Sequence, residues 1–251
     1  MTDFAEGAQT RKSQLSPARL APSVVGITLL DITLLDIALL SVRLVTYVEK
    51  DSITLRMHQQ NKPELILASS SPRRQELLRE IGISFRVHAA NINEDQIGGE
   101  APIAYALRVA REKAQAVAAQ YPQSYVLGAD TIVVVDDEVL GKPKDRRDAA
   151  RMLRLLSGRG HEVTTAVSVV AQGTLAETRA STTKVYFREI AEEEIEEYVA
   201  GGEPMDKAGA YAIQGGASRW ADRIEGEFSN VVGLPLSLVT DMLITTGLIK
   251  R

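Results

Sequence analysis

Cysteine is absent from the 251 residues. That excludes disulfide staples, a thiolate metal site and a cysteine nucleophile, and it permits a reducing compartment. A surplus of positive charge is missing too. With a formal net charge of −4, the chain is not built to hold nucleic acid by bulk electrostatics. Aromatic side chains make up only 5% of the residues, with no evident stacking platform for bases. Familiar catalytic signatures are also lacking: no Gly-x-x-x-x-Gly-Lys-Ser/Thr loop, dinucleotide fingerprint, Gly-x-Ser-x-Gly elbow or His-Glu-x-x-His pair occurs. What remains is an ordinary globular composition, 45% apolar and 25% charged, in a chain long enough to bury a substantial core.

The first sixty or so residues stand apart. Val24 to Val45 is nearly continuous apolar sequence on a crude repeat, Thr-Leu-Leu-Asp-Ile at 28–32 and again at 33–37. As a transmembrane helix it would set Asp31 and Asp36 in hydrocarbon, each costing roughly 2.5–3.5 kcal/mol near the bilayer centre. As a signal peptide it lacks a small-residue cleavage site after a clean apolar core. Two aspartates five apart suit neither one side of a helix nor one face of a strand. Met57 stands just ahead of a short polar lead into Leu65. The expectation is an extension over residues 1–61, disordered or the product of an upstream mis-start, followed by a single domain over 62–251. No membrane association and a cytoplasmic setting go with it.

The stretch Leu65-Ile-Leu-Ala-Ser-Ser-Ser-Pro-Arg-Arg-Gln-Glu-Leu-Leu78 organises that domain. Apolar residues long enough for a buried strand run into three serines, then Pro72 at a first-helical-turn position, then two arginines ahead of an apolar stripe. The loop hydroxyls of Ser69 and Ser71, the free N–H groups of the first turn and the positive end of the helix dipole face one spot, beside Arg73 and Arg74. Such a spot suits phosphate. The same residues also read as an ordinary serine N-cap with two solvated arginines, and the stretch by itself does not separate the two.

Strands and helices then alternate. Phe85–His88 reads as a short strand, 91–95 as a polar loop and Ile103–Gln120 as an amphipathic helix. Two β-rich runs, Tyr125–Leu127 and Thr131–Val135, flank Gly128-Ala-Asp130, and Asp136-Asp137 turns the chain into Glu138–Leu140. Asp145 caps a helix through Leu156. His161–Val170 and Leu175–Phe187, joined at Gln172-Gly173, read as an antiparallel hairpin. An acidic helix over Glu192–Val199, a glycine-rich stretch, a strand at Trp220–Ile224 and a last helix after Pro235 complete the chain. The mixed order predicts α/β with a mixed sheet and excludes the uniform alternation of a barrel.

Candidate chemistry falls in the intervening loops. Asp130 sits between two apolar runs beside Gly128, which leaves room for a ligand; a carboxylate there either caps a turn or holds a metal or water. Lys113 falls near the polar boundary of its helix, where a snorkelling lysine is the default. Lys142 lies in a Gly-Lys-Pro loop. His161 and Tyr211 stand alone and carry no catalytic assignment.

Five ordered motifs carry a further signal: Leu-Ala-Ser-Ser-Ser-Pro-Arg-Arg (67–74), Gly-Ala-Asp-Thr (128–131), Gly-Lys-Pro (141–143), Asp-Lys-Ala-Gly-Ala-Tyr-Ala-Ile-Gln-Gly (206–215) and Asn-Val-Val-Gly-Leu-Pro (230–235). In this order they closely resemble the Maf family of nucleoside triphosphate pyrophosphatases, from about Leu65 to the C-terminus. The resemblance implies a mixed sheet in two lobes around a deep cleft, similar to inosine triphosphatases, and a homodimer. It implies metal-dependent hydrolysis of a nucleoside triphosphate to the monophosphate and pyrophosphate. Carried over by position, the catalytic aspartate falls on Asp130, the loop glutamate on Glu94, the phosphate-side groups on Ser69, Arg73 and Arg74, and the lysines on Lys113 and Lys142. Base selection falls on Arg73, Thr131 and Gln214, in the form similar to the branch acting on dTTP and UTP.

That chemistry suits the residue types. A triphosphate carries about four negative charges and the transition state shifts charge onto the departing pyrophosphate, so cations are needed at the leaving group. Hard Mg²⁺ or Mn²⁺ prefers oxygen, which makes Glu94 and Asp130 the expected metal ligands. Asp130 is expected to take the proton of the attacking water or, alternatively, only to ligate metal. A reading of another class is a nucleotide-sensing regulator of cell division with little turnover; it has less need of the full set of charged positions.

Overall fold

The structure, a computed structural model, describes residues 64–250. The expectations for residues 1–61 lie outside the described residues. Seven strands form one mixed sheet in the order β2-β1-β3-β5-β6-β7, with β4 paired to β3 as well. The strands are β1 (Leu65–Leu67), β2 (Phe85–Val87), β3 (Tyr125–Val135), β4 (Glu138–Leu140), β5 (Gly160–Ala171), β6 (Thr174–Phe187) and β7 (Ala221–Glu225). Six α-helices flank it: α1 (Pro72–Glu80), α2 (Pro102–Ala118), α3 (Arg146–Leu156), α4 (Glu192–Ala200), α5 (Phe228–Val232) and α6 (Leu236–Thr245). β1 runs parallel to both β2 and β3, and all other pairings are antiparallel. The expected mixed α/β class is what the chain adopts.

Local chemistry accounts for most boundaries. Pro72 opens α1 with Ser71 as N-cap, its side chain accepting from the Arg74 N–H, and Asp145 caps α3 by accepting from the Asp148 N–H. The two hairpins turn on residue pairs with positive φ, Asp136-Asp137 (48°, 65°) and Gln172-Gly173 (49°, 80°), the geometry that matches strand twist. No helix among the described residues is long and apolar enough to cross a membrane.

The sheet is covered on both faces. Alternation along β3 sends Val126, Gly128, Asp130 and Ile132 to one face, where Ala106, Ala110, Ala114 and Val117 of α2 pack against Val126, Ile132, Ala166 and Val170. The opposite face receives Leu127, Ala129 and Val133, packed with Leu77, Leu78, Leu153, Leu156, Val239 and Met242 from α1, α3 and α6. Below it lies an aromatic chain in which His161, Phe187, Tyr211, Trp220 and Tyr198 meet edge to face. His161 Nε2 lies 2.9 Å from the Tyr211 hydroxyl.

Two expectations require correction. Tyr125–Leu127 and Thr131–Val135 are not separate runs around a loop: β3 is continuous through Gly128 and Asp130 because β5 pairs with it from Tyr125 to Val134. Nor does Gly128 leave room for a ligand, since a Cβ there would lie 2.4 Å from the Ala110 carbonyl oxygen and 2.7 Å from the Ala114 nitrogen. Helix α2 fills the space. The short helix α5, between β7 and the last helix, is an element the sequence reading does not contain.

Gly128→Ala therefore pushes backbone against backbone, and a loss of about 3 kcal/mol is expected from overpacking, measured by denaturant unfolding. Burial holds His161 down at about 4 from its ordinary 6.5. The folded state thus stays neutral while the unfolded chain takes up a proton, so stability falls as pH drops from 6.5 toward 4 and the loss levels off below that. His161→Phe should flatten this part of the stability–pH curve by about 3 kcal/mol at pH 4, read from unfolding of both proteins at matched pH.

Candidate active site

The site exists because one strand edge is left bare. β5 covers one side of β3, while on the other side β1 reaches only Tyr125–Leu127 and β4 only Val133–Val135. Between them, residues 128–132 have no partner strand on that side among the described residues. A cleft of ≈ 830 Å³ opens there, lined by the serine loop and α1 start, the Glu94 loop, the Gly141-Lys142 turn, and segments 206–214 and 231–233. All ten residues singled out from the sequence line it: Ser69, Ser71, Arg73, Arg74, Glu94, Lys113, Asp130, Thr131, Lys142 and Gln214. Neighbouring positions 130 and 131 project from opposite faces of β3, and the bare edge lets both reach one cavity.

On the α2 face, Lys113 Nζ donates to Asp130 Oδ1 at 2.8 Å and to Glu94 Oε2 at 2.7 Å. The expected solvated lysine is instead buried, with 8% exposure, because two carboxylates compensate its desolvation. Glu94 is delivered by a loop pinned to α2. Tyr105 donates its hydroxyl to the Glu94 carbonyl (2.7 Å), while Arg108 grips both Glu100 oxygens (2.9 Å each) and the Asp95 carbonyl (3.0 Å). The Arg108–Glu100 fork raises the arginine further above its ordinary range.

On the other face lies Arg74. Its Nε donates to the Gly233 carbonyl (2.9 Å), Nη1 to the Ala129 carbonyl (2.9 Å) and to Ser69 Oγ (3.2 Å), and Nη2 to Thr131 Oγ1 (3.0 Å). All four acceptors are neutral. Burial lowers the guanidinium from its ordinary value, Asp130 and Glu94 raise it, and Arg73 lowers it again; an arginine still keeps its charge. The Ala129 carbonyl is free to accept because the strand edge beside it is bare. Ser71 serves as the N-cap, and the open end of α1 points its dipole at the same cavity. The two readings of the serine-arginine stretch thus coexist.

Arg73, Lys142 and Gln214 line the cleft without a side-chain hydrogen bond or ion pair among the described residues, which leaves their polar ends for a ligand. Thr131 differs, since its hydroxyl already holds Arg74 and touches Thr165 (3.0 Å). Lys207 and Tyr105 line the cleft too and were not singled out. Lys207 lies within the 206–215 motif, and Tyr105 lies eight residues before Lys113, about two turns along the same helix.

Among the described residues no three His, Cys, Asp or Glu side chains cluster to hold a metal. Glu94 and Asp130 do converge on one ammonium. Two hard oxygen donors fit a small divalent ion that takes its remaining ligands from phosphate and water, and do not fit an all-protein cage.

Fold and cleft together define a mixed α/β protein with an anion-binding pocket: cations and a helix N-terminus on one side, a lysine-bridged carboxylate pair on the other. The chain matches the family model described as Maf-like protein over residues 64–246, and it belongs to that family. It is 55% identical over 186 residues to a dTTP/UTP pyrophosphatase of Koribacter versatilis (strain Ellin345), covering 74% of this chain and 95% of the relative. It is 52% identical to a dTTP/UTP pyrophosphatase of Geobacter metallireducens, covering 73% and 96% respectively. A solved nucleoside-triphosphatase / dITP/XTP pyrophosphatase from Mycobacterium abscessus is similar over 51% of this chain and 75% of its own, at 15% identity and a TM-score of 0.33. That likeness is too slight to carry weight.

Arg74→Lys keeps the charge but not the fork, and one ammonium does not span carbonyls on β3 and at Gly233. A loss of about 2 kcal/mol in denaturant unfolding is expected, the worth of buried acceptors left without donors.

Proposed function

We propose that this protein hydrolyses nucleoside triphosphates, chiefly dTTP and UTP and modified pyrimidine triphosphates with them, to the monophosphate and pyrophosphate, clearing the nucleotide pool. The observation that carries the reading is a guanidinium held, among the described residues, by neutral acceptors alone, in the same cleft as a carboxylate whose second oxygen has no partner among them. Relatives more than half identical and bearing the name dTTP/UTP pyrophosphatase support the substrate class.

The chemistry follows from charge placement. Asp130 Oδ1 is tied to Lys113, which fixes the carboxylate, and Oδ2 has no hydrogen-bond partner among the described residues. A water at Oδ2 attacks the α-phosphorus as its proton passes to Asp130; the bond from the α-phosphorus to the bridging oxygen breaks, and pyrophosphate leaves with the electron pair. Charge growing on that leaving group meets Arg74, Arg73, Lys142 and the open end of α1, placed beforehand rather than reorganised during the reaction. Glu94 and Asp130 would hold Mg²⁺ or Mn²⁺, which draws charge off the triphosphate and favours deprotonation of a nearby water.

Selectivity is assigned to the free ends. Gln214 offers a donor and an acceptor, the combination a uracil or thymine edge requires. Arg73 is assigned to phosphate and to base selection by the family resemblance, and Thr131 contributes through its hold on Arg74. The regulator reading is less favoured: the relatives are named as enzymes, and the carboxylates and cations a sensor could dispense with are all present. A catalytic domain over residues 62–251, a homodimer and a cytoplasmic setting belong to the same proposal, on family resemblance.

Purified protein with Mg²⁺ or Mn²⁺ and a panel of triphosphates should release pyrophosphate chiefly from dTTP and UTP. Asp130→Asn should lower turnover by at least about a hundredfold, the lower range for general base catalysis, while calorimetry shows nucleotide binding retained. Near-normal rates in that variant would remove Asp130 as the base.

A further inference from the structure

Arg74 is steered from behind by residues that never face the cleft. Thr165 sits on β5 directly opposite Thr131 of β3 and is fully buried. Its Oγ1 lies 3.0 Å from the Asn230 carbonyl oxygen and 3.0 Å from Thr131 Oγ1. A carbonyl only accepts, so the single Thr165 proton goes to Asn230, and toward Thr131 the oxygen offers a lone pair. Thr131 therefore donates to Thr165. Having given its proton there, Thr131 turns its remaining lone pairs toward the Nη2 of Arg74.

The far end of this relay is rigid. Asn230 is fully buried, and its Nδ2 donates to the Val163 carbonyl (2.9 Å) and to Thr183 Oγ1 (3.0 Å). Its carbonyl also takes the Gly233 N–H at 3.1 Å, and Gly233 presents the carbonyl that receives Arg74 Nε. Without the Thr165 hydroxyl, the acceptor left within reach of the Thr131 proton is that Gly233 carbonyl, 3.5 Å away. Thr131 would then compete with the arginine for it.

We propose that Thr165 is a positioning residue for Arg74: the Asn230–Thr165–Thr131 relay sets one direction of hydrogen bonding through the sheet and so holds the guanidinium in its fork. The consequence for catalysis rests on the reading of the cleft given above; the consequence for Arg74 itself does not.

Thr165→Val preserves shape and removes the hydroxyl, and Thr165→Ser restores it. Two readouts separate the claims: the Arg74 Nε–H resonance, assigned by its loss in Arg74→Lys, and kcat/KM with dTTP alongside inhibition by inorganic pyrophosphate. In wild type and Thr165→Ser the resonance should be sharp and slow to exchange; in Thr165→Val it should broaden or shift. There kcat/KM should fall about tenfold, on the order of one hydrogen bond to a charged group, with pyrophosphate affinity weakening alongside. An unchanged resonance in Thr165→Val overturns the proposal, as does a Thr165→Ser variant that behaves like Val. Wild-type protein that shows the expected resonances yet hydrolyses no triphosphate defeats the functional reading and leaves the relay standing. Should Thr165→Val not fold, Thr165→Ala takes its place against the same serine control.

Discussion

A guanidinium with no counter-ion among the described residues, taken partly out of water, is the constraint around which this structure is arranged. Arg74 draws its compensation from four neutral oxygens on separate pieces of chain: the serine loop, two positions of β3 and the turn after α5. A carboxylate would have neutralised it more strongly and spent its charge. Carbonyls and hydroxyls satisfy the N–H groups while leaving the field of the cation to act on whatever enters the cleft. The same bonds tie α1, β3 and the α5–α6 turn into one unit, so the arginine serves as cross-link and as electrostatic element together.

The bare edge of β3 makes this possible. A fully paired strand would have spent the Ala129 carbonyl on a neighbour and closed the cavity. Because β1 stops at Leu67 and β4 pairs only from Val133, five residues of a central strand stay open among the described residues, and successive side chains from opposite faces line one cavity. Lys113 with its two carboxylates works on one face and Arg74 with its hydroxyls on the other. On the reading proposed above, this division sets the group that takes a water proton apart from the groups that receive the leaving phosphates.

Much was legible in the residues. The Ser71 and Asp145 caps, the Pro72 start, the paired turns with positive φ and the amphipathic period of α2 are local effects, and each element appears near its expected bounds. What failed shares a cause. Gly128 reads as a break or a ligand space until α2 is found to fill it; Lys113 reads as solvated until Glu94, nineteen residues away in sequence, meets it. Thr165 gave no signal at all, since a threonine in a strand is ordinary and only register across the sheet sets it opposite Thr131.

By itself, then, the sequence determined where most strands and helices begin and end, and through five ordered motifs which kinship to expect, because caps, turns and periodicity act over a few residues. Tertiary structure decided which charges are spent and which are kept. Whether a buried lysine is neutralised, whether an arginine keeps its field, and which way a threonine turns its proton all depend on groups tens of residues distant, brought within 3 Å only when the sheet assembles.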